Sequence, residues 1–252
     1  MSLDVRHLVK SYGAVRVTDD VTFSVPAGGL VGLIGPNGAG KSTLFSIVTG
    51  FLGADAGEVS FDGRPFARLS ASERAQRGLV RTFQVPREFS HLSVRENLLA
   101  AAPAQAGETL GSLFLAPGRV RREEAALREK VDGLLAFLNL ARVAEVSAGQ
   151  LSGGQKKLVE LGRALMTGAR TILLDEPFAG VNPVLIEEIS ERVRELNAQG
   201  IGFLVIEHDL GALSRLVTTL HVMDRGRLIA SGPPADVLAD PRVREAYLGG
   251  LS

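Results

Sequence analysis

One nine-residue stretch constrains this chain more than any other: Gly35-Pro36-Asn37-Gly38-Ala39-Gly40-Lys41-Ser42-Thr43, a match to G-x-x-x-x-G-K-[ST]. It follows the apolar run Leu30-Val31-Gly32-Leu33-Ile34 and opens into Leu44-Phe45-Ser46-Ile47-Val48, where apolar residues recur at helical spacing. Strand, glycine loop and helix are the context in which such a match marks a phosphate cradle. Glycines let successive backbone N–H groups point into one concavity with no Cβ in the way. A helix starting near Gly40 adds N–H groups that lack intrahelical partners, together with the positive end of a dipole. Lys41 is then placed to reach the β- and γ-phosphates of a nucleotide, and Ser42 to offer its hydroxyl to Mg²⁺.

The rest of the chain must build a fold around that loop. Its 252 residues, 45% of them hydrophobic, suit one large α/β domain or a core with a smaller subdomain. Lys plus Arg equal Asp plus Glu at 28 each, so a net charge of zero gives no support to a nucleic-acid partner. The absence of cysteine excludes disulfides, zinc thiolate sites and thiol nucleophiles. Met1–Arg6 lacks the apolar core of a signal peptide, and no apolar run approaches the ~18 residues of a membrane span. The chain is expected in the cytoplasm, with any membrane role carried by partner subunits.

Taken in order, residues 3–9 and 21–25 are predicted strands, with Tyr12-Gly13 in a turn between them. A further short strand follows over 57–63. From Leu92 to Leu140 the texture becomes helical. Ser93-Val94-Arg95-Glu96 fits a capping box, and Leu127, Val131, Leu134, Leu135 and Leu138 share one helical face. The charges around that face suit a solvated helix surface. Between these helices, 103–118 is rich in Pro, Ala and Gly and is expected to be irregular. Strands then alternate with helices: 171–174, a helix begun by Asn182-Pro183 and ended by Gly200, a strand over 202–206, a helix near 210–217, and strands around 220–223 and 227–231. The predicted fold is α/β, with a mostly parallel P-loop core sheet, an antiparallel β subdomain and an inserted helical subdomain. The expected division of 1–252 is a core from 1–89 and 151–252, with the helical part at 90–150.

Two further segments carry chemistry. Thr171-Ile172-Leu173-Leu174-Asp175 can place a carboxylate at the carboxyl end of a parallel strand, where open α/β sheets bind ligands. Asp175 would hold Mg²⁺ through water, and Glu176, pointing elsewhere, could serve as general base toward an attacking water. Leu151-Ser152-Gly153-Gly154-Gln155 precedes a predicted helix over 156–166. It fits either a second anion site at a helix N-terminus or an ordinary N-cap.

Leu-Ser-Gly-Gly-Gln between a P-loop and an apolar-Asp-Glu run resembles the signature of ATP-binding cassette proteins. The family's other marks are present in order: Tyr12 at the adenine-stacking aromatic, Gln84 at the loop glutamine, 179–182 at the dimer-contact loop and His208 at the switch histidine. The resemblance covers nearly the whole chain. It implies two chains, identical or paired with a second cassette subunit, sandwiching two ATP molecules. Each γ-phosphate would meet Lys41 of one chain and Ser152 with Gly153 and Gly154 of the other, and Gln155 would belong to the same ATP-binding segment. It further implies that Gln84 touches Mg²⁺ and the water, and that His208 contacts the γ-phosphate and holds the water's geometry. Membrane permease subunits would dock near 85–99 on the cytoplasmic face of the inner membrane, with a substrate-binding protein engaged indirectly.

The wording of 81–84, 179–183, 205–209 and 246–249 is similar to ATPase subunits of branched-chain or hydrophobic amino-acid importers. Urea importers and lipopolysaccharide exporters share much of it. Asn182 departs from the broader family's aspartate in the dimer-contact loop. Non-transport cassette ATPases usually carry coiled-coil insertions or tandem cassettes, and P-loop GTPases and small-molecule kinases have no need of the Leu151–Gln155 segment.

Overall fold

The computed structural model describes residues 2–105 and 117–248. These form two compact units, one from the described residues of 1–84, 169–179 and 186–252, the other from those of 85–168 and 180–185. Most of the segment expected to be irregular, 106–116, lies outside the described residues, as does Gly249.

The first unit is built on two sheets. Strands β1 (Leu3–Tyr12), β2 (Val15–Val25), β4 (Ala56–Phe61) and β5 (Arg64–Pro65) form an antiparallel sheet in the order β2-β1-β4-β5. Leu3, Val5, Val21, Phe23 and Val25 alternate inward on it, while intervening residues such as Asp4, Thr22 and Ser24 remain more accessible. The two strand arms run on to Tyr12 and from Val15, beyond the predicted 3–9 and 21–25, and a tight turn at Gly13-Ala14 joins them.

The second sheet has six strands: β3 (Leu30–Ile34), β6 (Leu79–Arg81), β7 (Thr171–Asp175), β8 (Gly202–Ile206), β9 (Thr219–Asp224) and β10 (Arg227–Gly232). Their order is β10-β9-β3-β8-β7-β6, parallel except for the β9/β10 hairpin. β3, β7 and β8 are buried along their whole length, as strands covered on both faces must be. Helix α1 (Lys41–Val48) buries Leu44, Phe45, Ile47 and Val48 in a core shared with the antiparallel strands and β3.

Helix α2 (Ala71–Gln76), unforeseen from the sequence, opens on a Ser70/Glu73 capping box. Its Arg74 is buried, and its guanidinium donates to the carbonyls of Ile47, Val48, Phe66 and Leu69. A cation at the C-terminal end of α1 satisfies carbonyls that have no intrahelical donor. With no carboxylate among those partners, burial lowers the Arg74 pKa to about 10.

The second unit is helical: α3 (Val94–Ala100), α4 (Pro117–Phe137) and α5 (Gly153–Met166). Ser93 and Glu96 close the capping box that starts α3. Of the expected apolar face, Val131, Leu135 and, one residue past the end of α4, Leu138 are buried, while Leu127 and Leu134 are half-buried. This unit reaches past the expected 90–150 because α5 packs within it, with Gly162 against Leu98 and Leu138. Among the described residues no helix is long and apolar enough to cross a membrane.

The first unit also holds most of α6 (Pro183–Ala198), α7 (Leu210–Leu216), α8 (Pro234–Ala239) and α9 (Pro241–Leu248).

Candidate active site

Sheet register assembles the site. Leu33 pairs with Ile206, and Ile206 pairs with Asp175, so β3, β8 and β7 leave the sheet at one level. The chain there continues into Gly35, Glu207-His208 and Glu176 respectively, at the carboxyl edge where such sheets hold ligands.

The glycine loop turns into α1 at Gly40, whose φ is 99°. A Cβ there would collide with the Val17 carbonyl, so no other residue makes this turn unchanged. Gly40 provides no side-chain cap, which leaves the first-turn N–H groups of α1 to the loop's concave side. Lys41 is buried, and its ammonium donates to Gly35 O at 2.6 Å and Pro36 O at 3.0 Å. Burial lowers the Lys41 pKa, while the nearby charges of Glu176 and Asp175 oppose that shift. A cavity of about 210 Å³ is lined by Asn37, Gly38, Ala39, Gly40, Lys41, Ser42 and Thr43, with Val17, Glu176 and His208.

Three expected residues converge there. Glu176 takes a left-handed backbone conformation at φ 50°, uncommon outside glycine and a form of strain met at working sites. Its carboxylate accepts from Gln84 Nε2 at 2.5 Å on Oε2 and from His208 Nε2 at 2.9 Å on Oε1. Asp175, nearly buried, is engaged on Oδ2 by Arg81 Nη2 at 2.6 Å, and Arg81 also donates to Ser46 Oγ. Arg81 pairs with Leu173 in the register, and Asp175 lies two residues on, so both side chains share one sheet face.

Tyr12 ends β1 with its ring half exposed and the Lys10 ammonium 5.8 Å from the ring centre. Ser152, Gly153, Gly154 and Gln155 belong to the second unit. There Ser152 accepts the Gln155 N–H, and Gln155 Oε1 accepts from the Ser152 N–H at 3.0 Å. This capping box starts α5 at Gly153, one turn ahead of the predicted Lys156. Ser152 and Gly153 are exposed, while Gly154 abuts Leu185 so closely that a Cβ would overlap it. Asn182 caps α6, accepting the Leu185 N–H at 3.0 Å.

Sequence reasoning left Arg81 and Glu207 without roles. Glu207 is buried and accepts the N–H groups of Phe178 at 2.5 Å and His208 at 2.9 Å. Its only signal was an acid directly before His208, at the end of an apolar strand.

A phosphate-binding loop on a parallel sheet, with an acid-ended neighbouring strand and a carboxylate held by glutamine and histidine, defines a P-loop nucleoside triphosphatase. Residues 18–179 match the family model described as "ABC transporter", and the chain belongs to that family as an ATP-binding, ATP-hydrolysing cassette. Residues 227–250 match a second model, "Branched-chain amino acid ATP-binding cassette transporter". Probable branched-chain amino acid transport ATP-binding proteins LivG are similar over nearly the whole length. That of Methanocaldococcus jannaschii is 43% identical over 98% of this chain and 97% of its own; that of Archaeoglobus fulgidus is 39% identical over 98% and 95%. The lipopolysaccharide export protein LptB of Acidithiobacillus ferridurans is 36% identical over 98% and 96%. A crystal structure of the ADP conformation of an ATP-binding cassette superimposes with a TM-score of 0.84 at 42% identity, covering 99% of each chain.

Proposed function

We propose that this chain energises a membrane importer of branched-chain or other hydrophobic amino acids. The observation that carries the reading is the match at 227–250 to the branched-chain group, joined to full-length likeness to the LivG proteins. The chain is peripheral on the cytoplasmic face of the inner membrane and held there by permease subunits. Those subunits dock on 85–99, where Val85 and Phe89 expose apolar side chains.

The first unit's geometry supports a hydrolytic mechanism. Glu176 accepts the proton of the attacking water, a role worth roughly 10²–10⁴-fold in rate. Gln84 and His208 grip its two oxygens, so the carboxylate meets the water in one orientation. Lys41 and the N-terminal N–H groups of α1 balance negative charge on the β- and γ-phosphates. The donor set fits Mg²⁺: the Ser42 hydroxyl, the Asp175 carboxylate and the Gln84 amide oxygen are hard ligands of the kind a magnesium–nucleotide complex uses. When bound, Mg²⁺ neutralises charge shared by the β- and γ-phosphates. A second cassette subunit, or a second copy, presents Ser152–Gln155 to that γ-phosphate, and ATP joins the two. Tyr12 stacks on the adenine.

Uptake of radiolabelled leucine by cells lacking the gene tests the substrate class. Uptake is expected to be lost, restored by the wild-type chain, and not restored by Glu176→Gln. Unchanged uptake together with an envelope lipopolysaccharide defect would contradict import and favour the export relatives.

A further inference from the structure

Glu207 is a buried acid that the hydrolysis above leaves unused. It is 3% exposed where β8 ends. Its Oε1 accepts the Phe178 N–H at 2.5 Å, its Oε2 the His208 N–H at 2.9 Å, and the Asp209 N–H also bonds to it. Among the described residues no lysine or arginine pairs with it. Burial raises its pKa, the three N–H bonds oppose that rise, and the charge of Glu176 adds to it. A carboxylate desolvated without a cation is a poor stabiliser of any fold. Its placement therefore calls for another reason.

The two segments it ties together supply one. Phe178 lies two residues after Glu176, on the segment leaving β7, and His208 lies on the segment leaving β8. Glu176 holds a strained φ of 50°, and strain of this kind persists only where neighbours over-determine the backbone. The restraints include the Glu176 N–H on Ile206 O at 2.9 Å, the Ala179 N–H on Glu176 O at 3.2 Å and, two residues on, the Glu207 carboxylate on the Phe178 N–H.

We propose that Glu207 is a positioning residue for ATP hydrolysis. Its two oxygens lock the backbones of Phe178 and His208, and so keep the Glu176 and His208 side chains at their 2.9 Å separation. The inference rests on Glu176 being the base. Glutamine cannot substitute, because its amide has one acceptor oxygen and would turn an NH₂ toward an N–H donor.

The test compares Glu207→Gln, Glu176→Gln and the wild-type chain for ATP turnover, ATP affinity and melting temperature. Glu207→Gln is expected to lower kcat by 10–100-fold, the usual effect of losing a group that orients a working one. Its Kd for ATP should stay within threefold and its melting temperature within a few degrees of wild type, since the N–H left without an acceptor is offset by removal of a buried charge. A purely structural role would lower kcat, affinity and melting temperature together, and that outcome overturns the proposal, as does an unchanged kcat. If Glu176→Gln also hydrolyses ATP at the wild-type rate, the base is misassigned and both readings fall. An inactive Glu176→Gln beside a fully active Glu207→Gln defeats the positioning role alone. Should Glu207→Gln not fold, amide exchange in the wild-type chain decides. Slow exchange at Phe178 and His208 supports the strut, and exchange at the rate of exposed amides contradicts it.

Discussion

His208 Nε2 stands 2.9 Å from Glu176 Oε1, although 32 residues separate the two in sequence. The contact exists because β7 and β8 are hydrogen-bonded neighbours ending in register at Asp175 and Ile206. If Glu176 is the base proposed above, a carboxylate held in this way meets the attacking water in one orientation, as a directed base requires.

Removing that grip should slow turnover without loosening ATP. His208→Ala is expected to lower kcat by about 10²-fold, within the range for losing a preorganised hydrogen-bond donor, with the Kd for ATP within threefold. Gln84→Ala should cost about tenfold. Steady-state turnover beside equilibrium ATP binding reads both. A large loss of affinity at His208 would place that histidine in ground-state binding instead.

Arg74 should matter for stability and not for chemistry. Lysine at 74 keeps the charge but cannot span the carbonyls of Ile47, Val48, Phe66 and Leu69 that the planar guanidinium reaches. Arg74→Lys is expected to destabilise the chain by about 2–3 kcal/mol through stranded carbonyls and poorer charge solvation. Urea unfolding monitored by circular dichroism measures it, and a loss below about 0.5 kcal/mol would contradict this role.

His221 links stability to acid. It is 6% exposed, its ring centre 5.4 Å from that of Phe23, and burial lowers its pKa from 6.5 to about 4. The unfolded chain therefore takes up the proton first as pH falls, so stability declines between pH 6.5 and 4. At about 1.4 kcal/mol per pKa unit the decline is on the order of 3 kcal/mol. His221→Leu should remove that part of the slope. Parallel slopes for the two proteins in urea titrations at pH 7, 5.5 and 4 would refute the assignment.

The features legible in the sequence were those written in consecutive residues. The glycine loop, the acid-ended strand 171–175 and the Ser93–Glu96 cap depend on short-range spacing, so periodicity and turn chemistry suffice to find them. The Ser70–Glu73 cap had the same wording, but the six-residue α2 behind it is too short for a periodic signal. β6 is three residues long and becomes a strand only by pairing with β7. Arg81 and Glu207 escaped for a related reason. Their partners, Asp175 and Phe178, lie 94 and 29 residues away and are brought close by sheet register, which no local pattern encodes. α5 began a turn early because Ser152 and Gln155 close a cap on each other, leaving both glycines at its start.

The most direct measurement is ATP turnover and ATP binding by the wild-type chain and by Glu176→Gln under identical conditions with Mg²⁺. The wild-type chain should hydrolyse ATP. The variant should bind ATP with a Kd within threefold of wild type and lose at least about 10²-fold in turnover. Turnover by Glu176→Gln within tenfold of wild type would contradict the assignment of Glu176 as the base.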